Sequence, residues 1–176
     1  MGLDGDGFGC RSNTLVCSEN VGINKYYELL DIGVDMLKLR IVCVGRVKSK
    51  PVQDLIKDYS SRISHYFPIE VITVKDGAST LKSMKAGDLF VVCDEKGDQK
   101  TSAELAVFIK TNQKNNINRI IFYIGGHEGV EHVVKKQAHK MLSLSKMTFP
   151  HEFAQAILLE QIYRACTIIN GESYHK

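Results

Sequence analysis

The sequence reads as an α/β protein in which a mostly parallel sheet is flanked by helices. Three observations carry that reading. Short apolar runs alternate with helical runs from residue 37 to residue 169. The run Leu89-Phe90-Val91-Val92-Cys93 is apolar throughout, as expected of a strand buried on both faces. Glycine- or proline-marked turns stand where the period changes, at IGGHEG (124–129) and at Pro150-His151.

Taken in order, residues 37–45 (LKLRIVCVG) predict a strand with a glycine stop. Residues 51–66 predict a helix: proline suits its first turn, and Leu55, Ile56, Tyr59, Ile63 and Tyr66 recur at helical spacing. Residues 69–74 predict a second strand, 80–85 a short helix and 89–93 the third strand. Ser102 can cap a helix over 103–113, with Glu104 in its first turn. Residues 119–124 predict another buried strand, 130–140 a basic helix, 141–149 the last strand and 150–169 the last helix. In parallel sheets ligands bind beyond the carboxyl ends of the strands. Three loops therefore matter: 94–97, 125–129 and 146–151.

A length of 176 residues with 44% hydrophobic content suits one domain with a proper core. No run of 18 apolar residues exists, so no membrane span is expected. The five cysteines are odd in number and lack CxxC spacing, which argues against a disulfide framework or a zinc ribbon. Cys43 and Cys93 sit in apolar runs as small core residues, and the expected compartment is the reducing cytoplasm.

The net charge of +3 hides an asymmetry. Residues 1–35 set Asp4, Asp6, Glu19, Glu28, Asp31 and Asp35 against Arg11 and Lys25, a balance of −4, so residues 36–176 carry +7. A basic body suits a polyanion partner, and equally a mildly basic surface. The first 35 residues are glycine- and aspartate-rich, sustain no helical or strand period before Tyr26 and lack a signal-peptide pattern. They are expected to be a disordered extension or a gene-model artefact, with Met36 as the start of a single domain over 36–176.

Gly125, Gly126 and Gly129 follow a strand and precede a helix, which lets backbone approach a ligand. The spacing is not GxGxxG, so the pattern fits a backbone-walled pocket or a plain strand–helix turn. His127, Glu128 and His132 mimic a metalloprotease helix, but the histidines are five apart where that motif needs four, and no metal site is expected. His132, His139, Lys135, Lys136 and Lys140 read as a solvated basic helix face that can also meet phosphates. Pro150-His151 reads as a helix start followed by a surface histidine. Ala154, Ile157, Leu158, Gln161, Ile162, Ala165, Cys166 and Ile169 form a wide apolar stripe, which means core burial and permits packing across a dimer. The tail Tyr174-His175-Lys176 reads by itself as a frayed end.

Taken together, IGGHEG, LSLSKMTFPH (142–151) and LLEQIYRACTIINGESYHK (158–176) resemble the RlmH family of SPOUT-class RNA methyltransferases. The resemblance spans nearly all of 37–176. It implies a C-terminal deep trefoil knot, the α/β-knot of the SPOUT class. It also implies S-adenosyl-L-methionine in a pocket walled by Cys93, Gly125, Leu144, Ser145, Lys146, Met147, Thr148 and Phe149. It further implies a homodimer whose sites are completed by the partner. The implied substrate is a pseudouridine of 23S ribosomal RNA, methylated at N3 in the assembled ribosome. On that resemblance His175 is the candidate base or base-positioner, Tyr174 orients or stacks on the nucleobase, and Arg164 and Lys176 meet phosphate or developing oxygen charge. Two positions depart from the family pattern: Gln155 stands where an arginine is usual, and His127 where a smaller residue or proline is common. The acidic first 35 residues have no counterpart. The alternatives are a non-catalytic ribosome- or RNA-binding knotted module and, on pattern alone, a flavodoxin-like nucleotide binder.

Overall fold

A computed structural model of the chain describes residues 36–115 and 117–175; residues 1–35, Asn116 and Lys176 lie outside the described residues, as does the side chain of His175. Expectations about residues 1–35 therefore fall outside it. Five strands form one sheet: β1 (Lys38–Val44), β2 (Ile69–Val74), β3 (Asp88–Gln99), β4 (Arg119–Ile124) and β5 (Lys140–Ser143). Their order is β2-β1-β4-β3-β5, and every pairing is parallel. The helices are α1 (Lys50–Ile63), α2 (Gly77–Lys82), α3 (Ser102–Lys114), α4 (His132–Lys136) and α5 (His151–Ile169), and a 3-10 turn spans Ser173–His175.

Strand side chains alternate between the two faces. Leu39, Ile41 and Cys43 of β1 share one core with Ile120, Phe122 and Ile124 of β4, beneath α1, α3 and α5. Val42, Phe90, Val92, Ile121 and Tyr123 point the other way, against Leu81, Met84 and Val134 from around α2 and α4. Both faces are thus covered, which is why the central strands read as unbroken apolar runs. Helix α5 packs on the sheet and between α1 and α3, so Leu158, Leu159, Ile162, Ala165 and Cys166 are buried together. The expected apolar stripe is this core.

Several boundaries differ from expectation, each for a visible reason. Helix α3 is capped by Thr101 rather than Ser102: the Thr101 hydroxyl accepts from Glu104 N at 3.2 Å, and the Glu104 carboxylate accepts from Thr101 N at 2.7 Å. Helix α4 is far shorter than 130–140. His139 N donates to Phe90 O at 2.9 Å and His139 Nδ1 accepts from Phe90 N at 2.8 Å, so this stretch is captured by β3. The expected basic face is accordingly split, because Lys135 is ion-paired and Lys140 begins β5. Strand β5 ends at Ser143, not 149. Ser143 Oγ donates to Ser145 O at 2.9 Å and Ser145 Oγ accepts from Met147 N at 3.0 Å, turning the chain into a loop.

Strand β3 is longer than expected because it meets β5 twice. Cys93 pairs with Leu142, and so does Asp98 after an irregularity. Between these pairings Gly97 crosses the β5 backbone so closely that an added side-chain carbon would lie 2.7 Å from Met141 C and 2.8 Å from Leu142 N. No residue other than glycine fits that crossing without backbone movement.

Candidate active site

The three strand-end loops converge on one cavity of about 200 Å³. Strand β3 contributes Cys93 and then Asp94 and Glu95. Strand β4 contributes Ile124 and the turn through Gly125, Gly126, His127 and Gly129. The loop after β5 contributes Leu144, Ser145, Met147, Thr148 and Phe149, and the first turn of α5 contributes His151 and Ala154. Of the residues expected to wall a pocket, Cys93, Gly125, Leu144, Ser145, Met147, Thr148 and Phe149 line this one. Lys146 is exposed and is not part of the lining.

The glycine turn is folded tightly on itself. A side-chain carbon on Gly125 would lie 2.4 Å from Gly129 O, so the wall there is bare backbone by steric necessity. Gly129 N donates to Gly126 O at 3.0 Å and holds the turn closed. Opposite it, the thiol of Cys93 is pushed up to about 12, chiefly by burial, with Cys43 adding to the effect. It stays protonated at neutral pH and serves as an apolar wall rather than a nucleophile. Burial works against ionisation of Asp94. The ion pair with Lys135 Nζ at 2.5 Å and the hydrogen bond from Lys96 N at 3.1 Å outweigh it and hold the carboxyl below the usual range. Asp94 at the cavity is thus ionised with its charge offset by Lys135, and Glu95 follows it in the lining. Sequence reasoning flagged that loop but not its carboxylates.

His151 is not the surface histidine expected. It lines the cavity, and its Nε2 is buried without a hydrogen-bond partner among the described residues. His127 stands at the mouth, 89% exposed and 3.8 Å from Glu128, at cavity-lining distance as its position in the glycine turn suggested. Gln155 faces elsewhere, into a groove beside α1. No group of three or more His, Cys, Asp or Glu side chains among the described residues is placed to hold a metal ion, and no described helix is long and apolar enough to cross a membrane.

Arg164 and Tyr174 lie away from the cavity. Arg164 is 13 residues beyond His151 on the same helix, about 20 Å along the axis. Its guanidinium pairs with Glu160 at 2.6 Å and lies 5.0 Å over the Tyr174 ring. Tyr174 packs edge-on against Tyr163 with centroids 4.7 Å apart, and its hydroxyl is 3.4 Å from that of Tyr59. The hydrogen bond to Tyr59, together with burial, raises the phenol of Tyr174 further, so it stays neutral. Tyr66 OH donates to Glu172 at 2.7 Å. The tail is therefore held against α1 rather than frayed, and His175 closes its 3-10 turn.

The family model described as "Predicted SPOUT methyltransferase" matches residues 37–175. The chain belongs to the SPOUT methyltransferase family. Among curated relatives, the protein named "Ribosomal RNA large subunit methyltransferase H" of Coprothermobacter proteolyticus is 44% identical over 140 residues, covering 80% of this chain and 100% of the relative. Those bearing the same name in Trichlorobacter lovleyi and Parabacteroides distasonis are 36% and 33% identical, each covering 79% of this chain and 99% of the relative. A solved methylase-family protein from Haemophilus influenzae Rd KW20 superposes with a TM-score of 0.54 at 10% identity, over 78% of this chain and 70% of that one, which shows the shared fold. In this SPOUT domain the cavity lies at the ends of β3, β4 and β5, walled by the backbone of the glycine turn and by apolar side chains.

Proposed function

We propose that this protein transfers a methyl group from S-adenosyl-L-methionine to N3 of a pseudouridine in 23S ribosomal RNA, within the assembled ribosome and in the cytoplasm. The observation that carries the reading is the convergence of 93–95, 125–129 and 144–149 on one glycine-walled cavity, in a chain whose relatives are named for methylation of large-subunit ribosomal RNA. On this reading residues 36–176 form the methyltransferase domain, and 1–35 are an extension or a gene-model artefact.

Bound in the cavity, S-adenosyl-L-methionine supplies an electrophilic methyl group on a cationic sulfur. Gly125 and the 144–149 loop would hold its base and ribose, with Leu144, Met147 and Phe149 excluding water and Glu95 near its positive charge. The chain's remaining task is to hold the acceptor nitrogen in line and to remove its proton. Good alignment contributes roughly 7–11 kcal/mol in comparable intramolecular reactions. A positioned base adds about 10²–10⁴-fold. We assign that base, or its positioning, to His175, whose ordinary pKa suits the task. Tyr174 presents a ring for the nucleobase and Arg164 a charge for phosphate or for the imide oxygen.

Two observations support a homodimer with shared sites. The cavity is smaller than the ~300–1,000 Å³ typical of enclosed ligand pockets, and its lining includes exposed apolar side chains: Met147 is 71% exposed and Phe149 36%. Arg164 and Tyr174 are fixed about 20 Å from their own cavity, so a second copy is the natural recipient. The close crossing at Gly97 and the double pairing of β3 with β5 support a knotted C-terminal chain path.

The test is methyl transfer from labelled S-adenosyl-L-methionine to intact ribosomes lacking the modification, beside free large-subunit RNA. Label confined to one pseudouridine on intact ribosomes is the expected result. No label on either, with the cofactor still bound, would overturn it.

A further inference from the structure

We propose that the groove between α1 and the edge strand β2 is an RNA-binding site that seats a single-stranded nucleotide next to the one being methylated. The inference rests on the function proposed above and adds to it a second contact surface.

Helix α1 leans toward α5 and leaves the outer face of β2 partly uncovered. The resulting groove, about 470 Å³, has an aliphatic floor of Ile56, Ile69 and Val71 and two cations, Arg46 and Lys57, on its rim. Neighbouring charges on α1 are neutralised within the helix, Lys50 by Asp54 and Arg62 by Asp58. Arg46 and Lys57 make no ion pair with a described residue. Gln155 from α5 also lines the groove. It is 2% exposed, and its carbonyl oxygen has no hydrogen-bond donor among the described residues. A buried acceptor left without a donor is costly unless something else supplies one.

These features suit one class of occupant. Cations with open valence fit phosphates, and an aliphatic floor fits the face of a base or ribose. The position agrees. Glu152, in the first turn of α5, accepts hydrogen bonds from Lys48 N at 2.9 Å and Ser49 N at 3.2 Å. That ties the loop bearing Arg46 to the turn whose His151 and Ala154 line the methyl-donor cavity. A strand delivering one base to the cavity would pass its neighbour along this groove.

The test combines the double variant Arg46→Gln/Lys57→Gln with the photo-reactive variant Lys57→p-benzoylphenylalanine, on the full chain with ribosomes. In the double variant, KM for ribosomes should rise about tenfold while cofactor Kd holds. The slope of log affinity against log salt should shrink by about 0.7–0.9 per cation removed. The photo-label should fall on large-subunit RNA within a few nucleotides of the methylated base. Unchanged KM and salt slope, or label confined to a ribosomal protein, would overturn the groove. If the unaltered protein methylates no ribosome, yet the double variant loses RNA affinity and the label still falls on RNA, the groove stands and the methylation reading fails.

Discussion

Gly125 has no space for even a methyl group, because the carbonyl of Gly129 occupies it at 2.4 Å from an added carbon. Gly125→Ala should therefore displace the wall of the cavity by about 1 Å. Misplacement on that scale costs up to about 10²-fold in rate, so turnover should fall at least tenfold with far-UV dichroism retained. Gln155 has a different problem, burial without a partner: it is 2% exposed and its carbonyl oxygen lacks a donor among the described residues. Gln155→Met replaces a buried amide by a near-isosteric apolar chain and should stabilise the protein by about 1 kcal/mol, raising Tm by about 2–4 °C in a thermal melt. The buried thiols Cys43, Cys93 and Cys166 are each pushed up to about 12, chiefly by burial. Because the folded-state values lie above the unfolded one near 9, their contribution is whole below about pH 9 and is lost as pH climbs toward 12. Denaturant titrations should give a flat stability at neutral pH and a fall across that alkaline window. A fall that begins near pH 7 would contradict the burial.

Helix α3 starts at Thr101 because its hydroxyl and the Glu104 carboxylate satisfy each other's backbone donors. Thr101→Ala should cost about 0.5–2 kcal/mol in chemical denaturation. Strands β3 and β4 begin together because Arg119 grips Asp88 through two bonds, Nε–Oδ1 at 3.1 Å and Nη2–Oδ2 at 2.5 Å, with the Asp88 side chain 3% exposed. Asp88→Ala strands the guanidinium in a nearly buried place and should destabilise by about 3–5 kcal/mol. Neither Thr101 nor the Asp88–Arg119 pair lines the cavity, so cofactor affinity should hold in any fraction that stays folded.

The C-terminal turn is held by Tyr59 of α1, Tyr66 just beyond α1 and Tyr163 of α5, beside Arg164, about 20 Å along α5 from the cavity-lining His151. Sharing of sites across a two-fold axis makes a quantitative prediction. Gly125→Ala, damaged in the cavity, and His175→Ala, damaged in the tail, should each be poorly active alone. Mixed after dissociation, they should recover about a quarter of the unaltered activity, since half the dimers are mixed and each of those keeps one intact site. No recovery above the sum of the two would mean that each chain serves its own cavity.

Alternation of apolar and helical runs, read with 3.6- and 2-residue periods, was enough to place all five strands and the three long helices, and the strand-end rule alone picked out the loops that line the cavity. Those features are legible because burial acts on each segment separately. Ile120 or Leu158 is apolar whatever its neighbour turns out to be. The short α4 and the burial of His151 were not legible, because each depends on a partner distant in sequence, and the short β5 was not because its stop is a serine turn inside an apolar run. His139 leaves the helix to pair with Phe90, 49 residues away, and Lys135 leaves its basic face for Asp94. The same holds for the burial of Gln155, which periodicity does not reveal, and for the tail, which reads as frayed until Tyr59, Tyr66 and Tyr163 gather around it. Periodicity records which side of an element meets the core. Which two elements meet there, and which polar atom is left without a partner, is decided when the chain closes on itself.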